Sequence, residues 1–448
     1  MNMETKIKTA KSSLETLIVF RSLLADPVIE KYYVLLEVLT DKLSASNFNR
    51  RYSEFFAALL ERQQVSLLDY LSEKILFTET AFSRFCAGKT VKEINPELRR
   101  AVEHDLEALQ KAAALTPQEI KEYAISCGGF TAGEANLVRK LPAWRMEISL
   151  PLEPVVRQKF TLQSNWAKQL EALAAFYRHH GSGLFARYRG FLWERVDGKG
   201  QLVGIEYPDP IRLQDLIGYE KPRQVVIDNT LKFLQGYIAN NVLLYGDRGT
   251  GKSSTVKALL NEYAHLGLRI IELPQPYLAD LPQVLRQIKN KPQKFIIFID
   301  DLAFADTEET YTPLKAVLEG GLESRPRNVV IYATSNRRHL IKERFSERAG
   351  LFADNAEDEV RAAETIQEKL SLADRFGITV TFLTPNQEKY LEIVEGLAAQ
   401  RGLKIEREFL HREALRWEMK QNGRSPRTAR QFIDWLAANL TQRARQNV

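Results

Sequence analysis

The stretch "YGDRGTGKSS", residues 245–254, follows directly on the apolar run "NVLL". Gly246, Gly249 and Gly251 lie within six positions, and Lys252, Ser253 and Ser254 come straight after them. A tight turn needs about one glycine, whereas three let the backbone pass close to a partner with its N–H groups turned toward it. The spacing Gly246-x-x-x-x-Gly251-Lys252-Ser253 is that of a phosphate-binding loop between a strand and a helix, so the chain must build an α/β unit here. Gly246, Asp247, Arg248, Gly249, Thr250, Gly251 and Ser254 are then the residues that surround the phosphates, helped by the positive end of the following helix. Lys252 would reach the β- and γ-phosphates, and the Ser253 hydroxyl would hold Mg²⁺. No N-K-x-D run is present to suit guanine, which leaves ATP with Mg²⁺ as the expected ligands.

Two later strands supply matching groups. "KFIIFIDDLAF" (294–304) ends an apolar run in two acids. Hard cations take oxygen ligands, so Asp300 is the metal-side candidate, with Asp301 placed to orient or deprotonate an attacking water. "NVVIYATSN" (328–336) runs a strand into Asn336, an amide suited to holding a water near the γ-phosphate.

The surrounding chain fits this reading. At 448 residues it exceeds what one hydrophobic core supports. Residues 1 to about 190 show apolar residues at three- and four-residue intervals, as in "SLETLIVFRSLLADPVIEKYYVLLEVL" (13–39). "LTPQEIKEYAI", with Thr116, Pro117 and Glu119, has the form of a helix start. The aromatics of 166–193 read as a packed core rather than a base-stacking surface. From about 211, short β-branched runs at 241–246, 269–274, 294–300, 328–335 and 378–383 alternate with longer segments. That is the pattern of strands buried on both faces of a parallel sheet with crossover helices. After Pro385 three helical segments follow. The expected division is a mainly helical domain at 1–205, a P-loop core with a parallel five-stranded sheet at 206–385, and a small helical lid at 386–448. The break at "VDGKGQLVGIEYPDP" (196–210) serves as the first boundary.

A net charge of +6 is only mildly basic for this length, and Cys86 and Cys127 have no C-x-x-C spacing. No apolar stretch of about eighteen residues occurs, which argues against a membrane span. A cytoplasmic protein is expected.

With these residues in view, 211 to about 440 resembles an AAA+ ATPase module. "LQDLIGYEKPRQVVIDN" (213–229) is similar to the superfamily's segment bordering the adenine, with Leu216, Ile217, Gly218 and Tyr219 at the matching positions. The loop, the acid pair and Asn336 resemble Walker A, Walker B and sensor 1. "LADRFG" (372–377) resembles the box carrying an arginine finger, which would be Arg375. "GRSPRTARQF" (423–432) resembles the sensor 2 helix, with Arg427 preferred to Arg430 as the γ-phosphate contact. The set, with "YATSNRRHL" and "LSLADRFG", further resembles a bacterial family of AAA+ ATPases known as domain of unknown function 815. The resemblance implies a homo-oligomeric ring, a hexamer among the options, in which Arg375 acts on a neighbour's nucleotide. It also implies remodelling of an unidentified protein partner.

The superfamily usually has Asp-Glu where this chain has Asp300-Asp301. A side chain one methylene shorter holds its carboxylate roughly 1.5 Å further back, and a misplacement of about an ångström can cost two orders of magnitude in rate. The water then sits closer to the strand, Glu308 or Glu309 assists, or turnover is slow and the protein works as a nucleotide-dependent switch or scaffold. Arg337, Arg338, Arg344 and Arg348 compete with Arg375 for the finger role. Tyr277-Leu278 occupies the place of a threading loop, but three prolines surround it. Arginines in 325–348 and 401–430 leave a nucleic-acid loader as a third reading, although no nucleic-acid-binding fingerprint is visible.

Overall fold

The computed structural model describes residues 2–41, 43–87, 93–146, 156–302, 312–319, 325–336, 375–421 and 423–446. It divides into two compact units, Met1–Arg187 and Tyr188–Val448.

The described part of the first unit is helical: α1 (Met3–Glu15), α2 (Pro27–Asp41), α3 (Ala45–Glu61), α4 (Leu67–Phe77), α5 (Ala81–Cys86), α6 (Pro96–Ala113), α7 (Pro117–Cys127), α8 (Ala132–Lys140), α9 (Leu170–His180) and α10 (Leu184–Arg187). Helix α7 starts where its sequence says. The Thr116 hydroxyl accepts from the Glu119 N–H while the Glu119 carboxylate accepts from the Thr116 N–H, so two otherwise orphaned amides are satisfied. The aromatic crowding is core: Phe160, Trp166, Phe176 and Tyr177 are buried. Asp105 on α6 is fully buried, and its carboxylate accepts the N–H groups of Ile18, Val19 and Phe20 at 3.0, 2.7 and 2.9 Å. One side chain thereby fixes the turn after α1.

The second unit is built on a sheet of β1 (Gly190–Val196), β2 (Lys199–Ile205), β3 (Val242–Gly246), β4 (Leu268–Glu272), β5 (Lys294–Ile299), β6 (Val329–Asn336) and β7 (Ile378–Phe382). Their order is β2-β1-β4-β5-β6-β3-β7. All neighbours are parallel except β1 and β2, so the sheet is seven-stranded and mixed, not the five-stranded parallel sheet expected. The five expected strands are all present; the hairpin β1–β2 extends them at the β4 edge, and it falls before the 205/206 division. Its turn is Asp197-Gly198 with φ of +50° and +75°. Asp-Gly between alternating residues is a strong hairpin signal, and the segment expected to be a domain break is this hairpin. Gly200 and Gly204 complete the hairpin by making room: a Cβ there would lie 2.2 Å from Trp193 and Tyr188 atoms respectively.

Crossover helices α11 (Glu220–Leu234), α12 (Lys252–Tyr263), α13 (Leu281–Ile288) and α14 (Thr312–Glu319) connect the strands. All eight residues of β6 are buried, as a strand covered on both faces requires. The chain closes with α15 (Gln387–Gln400), α16 (Arg407–Lys420) and α17 (Pro426–Gln446), packed around Tyr390, Ile393, Leu397, Leu410, Phe432 and Ile433. No helix among the described residues is long and apolar enough to cross a membrane.

Candidate nucleotide site

The sheet register assembles the site. Strand β3 lies between β6 and β7, and Gly246 pairs with Asn336 on one side and Phe382 on the other. The glycine loop, Asn336 and the acids ending β5 therefore meet at the carboxyl edge of the sheet, where ligands bind in open α/β folds. They line a cavity of about 540 Å³ together with residues of the 216–218 stretch, α15 and α17.

Lys252 opens α12 and is 6% exposed. Its Nζ donates to the carbonyls of Gly246 (2.9 Å) and Asp247 (2.7 Å) and to Asn336 Oδ1 (3.2 Å). Burial pushes its pKa down to about 8, against the opposing pull of Asp247, Asp301 and Asp300. Ser253 Oγ donates to Asp300 Oδ1 at 2.6 Å, so the two expected metal ligands already touch. Thr334 Oγ1 donates to that same oxygen at 2.6 Å and accepts the Asp301 N–H at 2.9 Å. Asp301 is exposed with φ of +52°, a left-handed backbone uncommon outside glycine and tolerated best by Asn and Asp, and its carboxylate accepts from the Asn336 amide. Thr334 and this backbone geometry escaped the sequence reading, because a threonine inside an apolar strand looks like any strand residue.

The loop glycines serve different neighbours. A Cβ on Gly246, at φ +139°, would lie 2.0 Å from the Phe382 carbonyl oxygen. That glycine is required by the close approach of β7. Asp247 turns the same way, its carboxylate accepting the N–H and hydroxyl of Thr384, both at 2.8 Å. Neither residue lines the cavity, whereas Arg248, Gly249, Thr250, Gly251, Lys252, Ser253 and Ser254 do. Gly249 meets the start of α17: its carbonyl accepts the Arg427 N–H at 3.2 Å. Gly251, at φ +92°, has open space where a Cβ would go.

Arg427 and Arg430 both line the cavity. Arg430 donates to the Asp215 carbonyl at 3.1 Å, while the Arg427 side chain has no hydrogen-bond or ion-pair partner among the described residues. Leu216, Ile217, Ile393 and Leu397 also line the cavity. Gly396 lets α15 approach: a Cβ there would sit 2.8 Å from Ile217 Cγ2. Gly218 (φ +78°) packs on Ile393, and Tyr219 stacks on Phe382 with centroids 5.5 Å apart. Arg223 on α11, also unanticipated, donates to the carbonyls of Leu216 (2.8 Å) and Gly218. A cation in the first turn of a helix opposes the helix dipole, and that anomaly was its one signal in the sequence.

Arg375 lies in the turn ahead of β7 and is not among the residues lining the cavity. Leu278 is fully buried and Tyr277 lies 5.6 Å under the guanidinium of Arg195, itself paired with Asp280, so this stretch is packed against β1 rather than presented as a loop. Glu308, Glu309, Arg337, Arg338, Arg344 and Arg348 fall outside the described residues.

A glycine loop between β3 and α12, an acid pair ending β5, and a helical cluster over the cavity define a P-loop α/β protein of the AAA+ kind. The family described as "Protein of unknown function (DUF815)" matches residues 186–440, more than half of the chain, and the chain belongs to that family. A putative 26S proteasome regulatory subunit homolog of Methanocaldococcus jannaschii is 22% identical over 258 residues, 50% of this chain and 67% of that protein. The 26S proteasome regulatory subunit 4 homologs of Schizosaccharomyces pombe and Saccharomyces cerevisiae are 41% identical over 66 residues and 44% over 68. Each of those matches spans 14% of this chain and 15% of the relative. Among solved structures, the Thermotoga maritima RuvB Holliday junction branch migration motor aligns at TM-score 0.35 and 18% identity, over 52% of this chain and 66% of that one.

Proposed function

We propose that the chain is a Mg²⁺-dependent ATPase that couples nucleotide state to the position of its C-terminal helices, and through them to a protein partner. The observation that carries this reading is the convergence on one cavity of two helix N-termini, those of α12 and α17, with Lys252, Arg248, Arg427 and the Ser253–Asp300 pair. That combination of positive groups with two adjacent oxygen ligands suits a polyphosphate carrying a divalent cation. Bound Mg²⁺ would neutralise charge on the phosphate oxygens. Lys252 holds the β- and γ-phosphates, Asp301 and Asn336 orient the attacking water, and Thr334 fixes both acids. Arg427, unpaired beside Gly249, senses the γ-phosphate and draws the helical lid onto the loop. Arg375, clear of its own cavity, acts on the nucleotide of a neighbouring copy, which makes hydrolysis depend on ring assembly.

Asp301 in place of glutamate favours a second reading, a switch that binds ATP and hydrolyses it slowly. The nucleic-acid reading loses support at several of these arginines: Arg325 is tied to Asn241 and Ala239, and Arg401, Arg407, Arg416 and Arg424 pair with Asp434, Glu395, Glu413 and Glu418. A cytoplasmic location fits the two free cysteines, one of them exposed. Titration calorimetry with ADP and ATP tests the core of the proposal. Micromolar binding that Lys252→Ala weakens by about a hundredfold is expected, from losing a buried charge-assisted contact. Equal affinity in wild type and variant would remove the phosphate-loop assignment.

A further inference from the structure

The cavity is lined by two chemically distinct sets of residues. One is the cationic loop; the other is the apolar group Leu216, Ile217, Ile393 and Leu397, suited to a planar base. What a base can bond to beside that group is set by one buried side chain. Arg223 is 8% exposed, and its two terminal nitrogens donate to the carbonyls of Leu216 and Gly218. The Leu216 N–H is also taken, by the Leu213 carbonyl. Among the described residues, Ile217 alone in the 216–218 stretch keeps both its N–H and its C=O unpaired. Arg223 Nε is buried without a partner, and the group stands at the positive end of α11. Burying an incompletely bonded cation there costs stability, so packing alone explains it poorly.

Resting on the ATP-binding reading above, we propose that Arg223 sets the base preference of this cavity. With both flanking carbonyls occupied, a purine docked along the stretch meets one free acceptor, the Ile217 C=O, with the N–H groups of Ile217 and Gly218 as donors. Adenine offers the complement, with N1 accepting and the 6-amino group donating. A purine with a 2-amino group adds a donor beside N1, for which no carbonyl is left and toward which the guanidinium presents only further donors. An amino group buried without a partner weakens binding by about tenfold or more.

The test is calorimetric binding of ADP, GDP and 2,6-diaminopurine riboside diphosphate to the full chain, in wild type and Arg223→Met. The diaminopurine compound differs from ADP by the 2-amino group alone, so the wild-type comparison reads the effect without any substitution. GDP and the diaminopurine compound should bind wild type about tenfold or more weakly than ADP, and in Arg223→Met the diaminopurine compound should come within about threefold of ADP. The proposal is overturned if wild type binds ADP and the diaminopurine compound equally, or if Arg223→Met weakens all three by a common factor. Wild type that binds none of the three overturns the ATP reading and this inference with it; binding without discrimination overturns this inference alone. Should Arg223→Met lose its helical circular dichroism, the wild-type comparison decides.

Discussion

Alanine substitution at the three loop glycines separates what the sheet requires from what a phosphate requires. At Gly246 the backbone has φ +139°, and a Cβ would lie 2.0 Å from the Phe382 carbonyl oxygen and 2.7 Å from its carbon. That carbonyl also accepts the Asp247 N–H at 3.0 Å, so β7 cannot retreat without losing the bond. Backbone strain of about 1–3 kcal/mol and overpacking of about 1–3 kcal/mol put Gly246→Ala at roughly 2–6 kcal/mol, a large share of a typical fold's stability. Gly251 also has positive φ, at +92°, but its Cβ would enter open space. Gly251→Ala should therefore cost only the left-handed backbone term, about 1–2 kcal/mol. Gly249 falls between: its Cβ would meet Ser425 Oγ at 3.0 Å and Arg427 Cβ at 3.2 Å, side-chain atoms at the start of α17 that can shift. Urea denaturation followed by circular dichroism, with ADP titration on each variant, reads both quantities. The expected order of stability loss is Gly246, Gly249, Gly251. Gly246→Ala as stable as wild type, or Gly251→Ala the most damaging of the three, would refute the division of labour among these glycines.

Other expectations follow from single contacts. With the Lys252 pKa lowered from 10.5 to about 8 by burial, phosphate binding above that pH must take up a proton. Nucleotide affinity should fall by up to about tenfold per pH unit above 8, and calorimetry in buffers of different ionisation enthalpy at pH 8.5–9 should register the uptake. The unfolded chain holds the extra proton between about 8 and 10.5, so this lysine's effect on the ligand-free protein is to raise stability as pH rises through that window. Asp301→Asn keeps a side chain that tolerates φ +52° but cannot accept a proton; turnover should drop by about a hundredfold or more while ATP affinity stays within about threefold. Equal turnover would remove Asp301 from the chemistry. Asp105→Ala strips three N–H groups of their acceptor, that of Phe20 buried and those of Ile18 and Val19 partly so, and should destabilise by about 2 kcal/mol or more, a loss visible in the thermal midpoint without any change in nucleotide affinity.

What was legible in the chain divides along physical lines. The five apolar strands were readable because a strand buried on both faces has nowhere to place polar residues, as the wholly buried β6 shows. The glycine loop was readable because its spacing serves one purpose, and the acids of β5 because two carboxylates ending an apolar run need a reason. The hairpin β1–β2 was missed although Asp197-Gly198 advertised it; the glycines that seat Trp193 and Tyr188 made the segment look like a linker. The separate duties of Gly246 and Gly251 were invisible, because only the register of β3 against β7 shows which glycine meets a backbone. Thr334 and Arg223 act through contacts to Asp300 and to the 216–218 carbonyls, partners 34 and five to seven residues distant in sequence, which spacing alone does not reveal.

The central claim is that this cavity hydrolyses ATP in an assembly that shares its residues between copies. Its most direct test is phosphate release by the purified full chain as a function of its own concentration, with Lys252→Ala and Arg375→Ala alongside. Specific activity that rises with concentration, is lost in both variants, and leaves ATP binding intact in Arg375→Ala is the expected result. Wild type that binds ATP yet releases phosphate no faster than Lys252→Ala at any concentration would contradict it, and would leave a nucleotide-bound switch in its place.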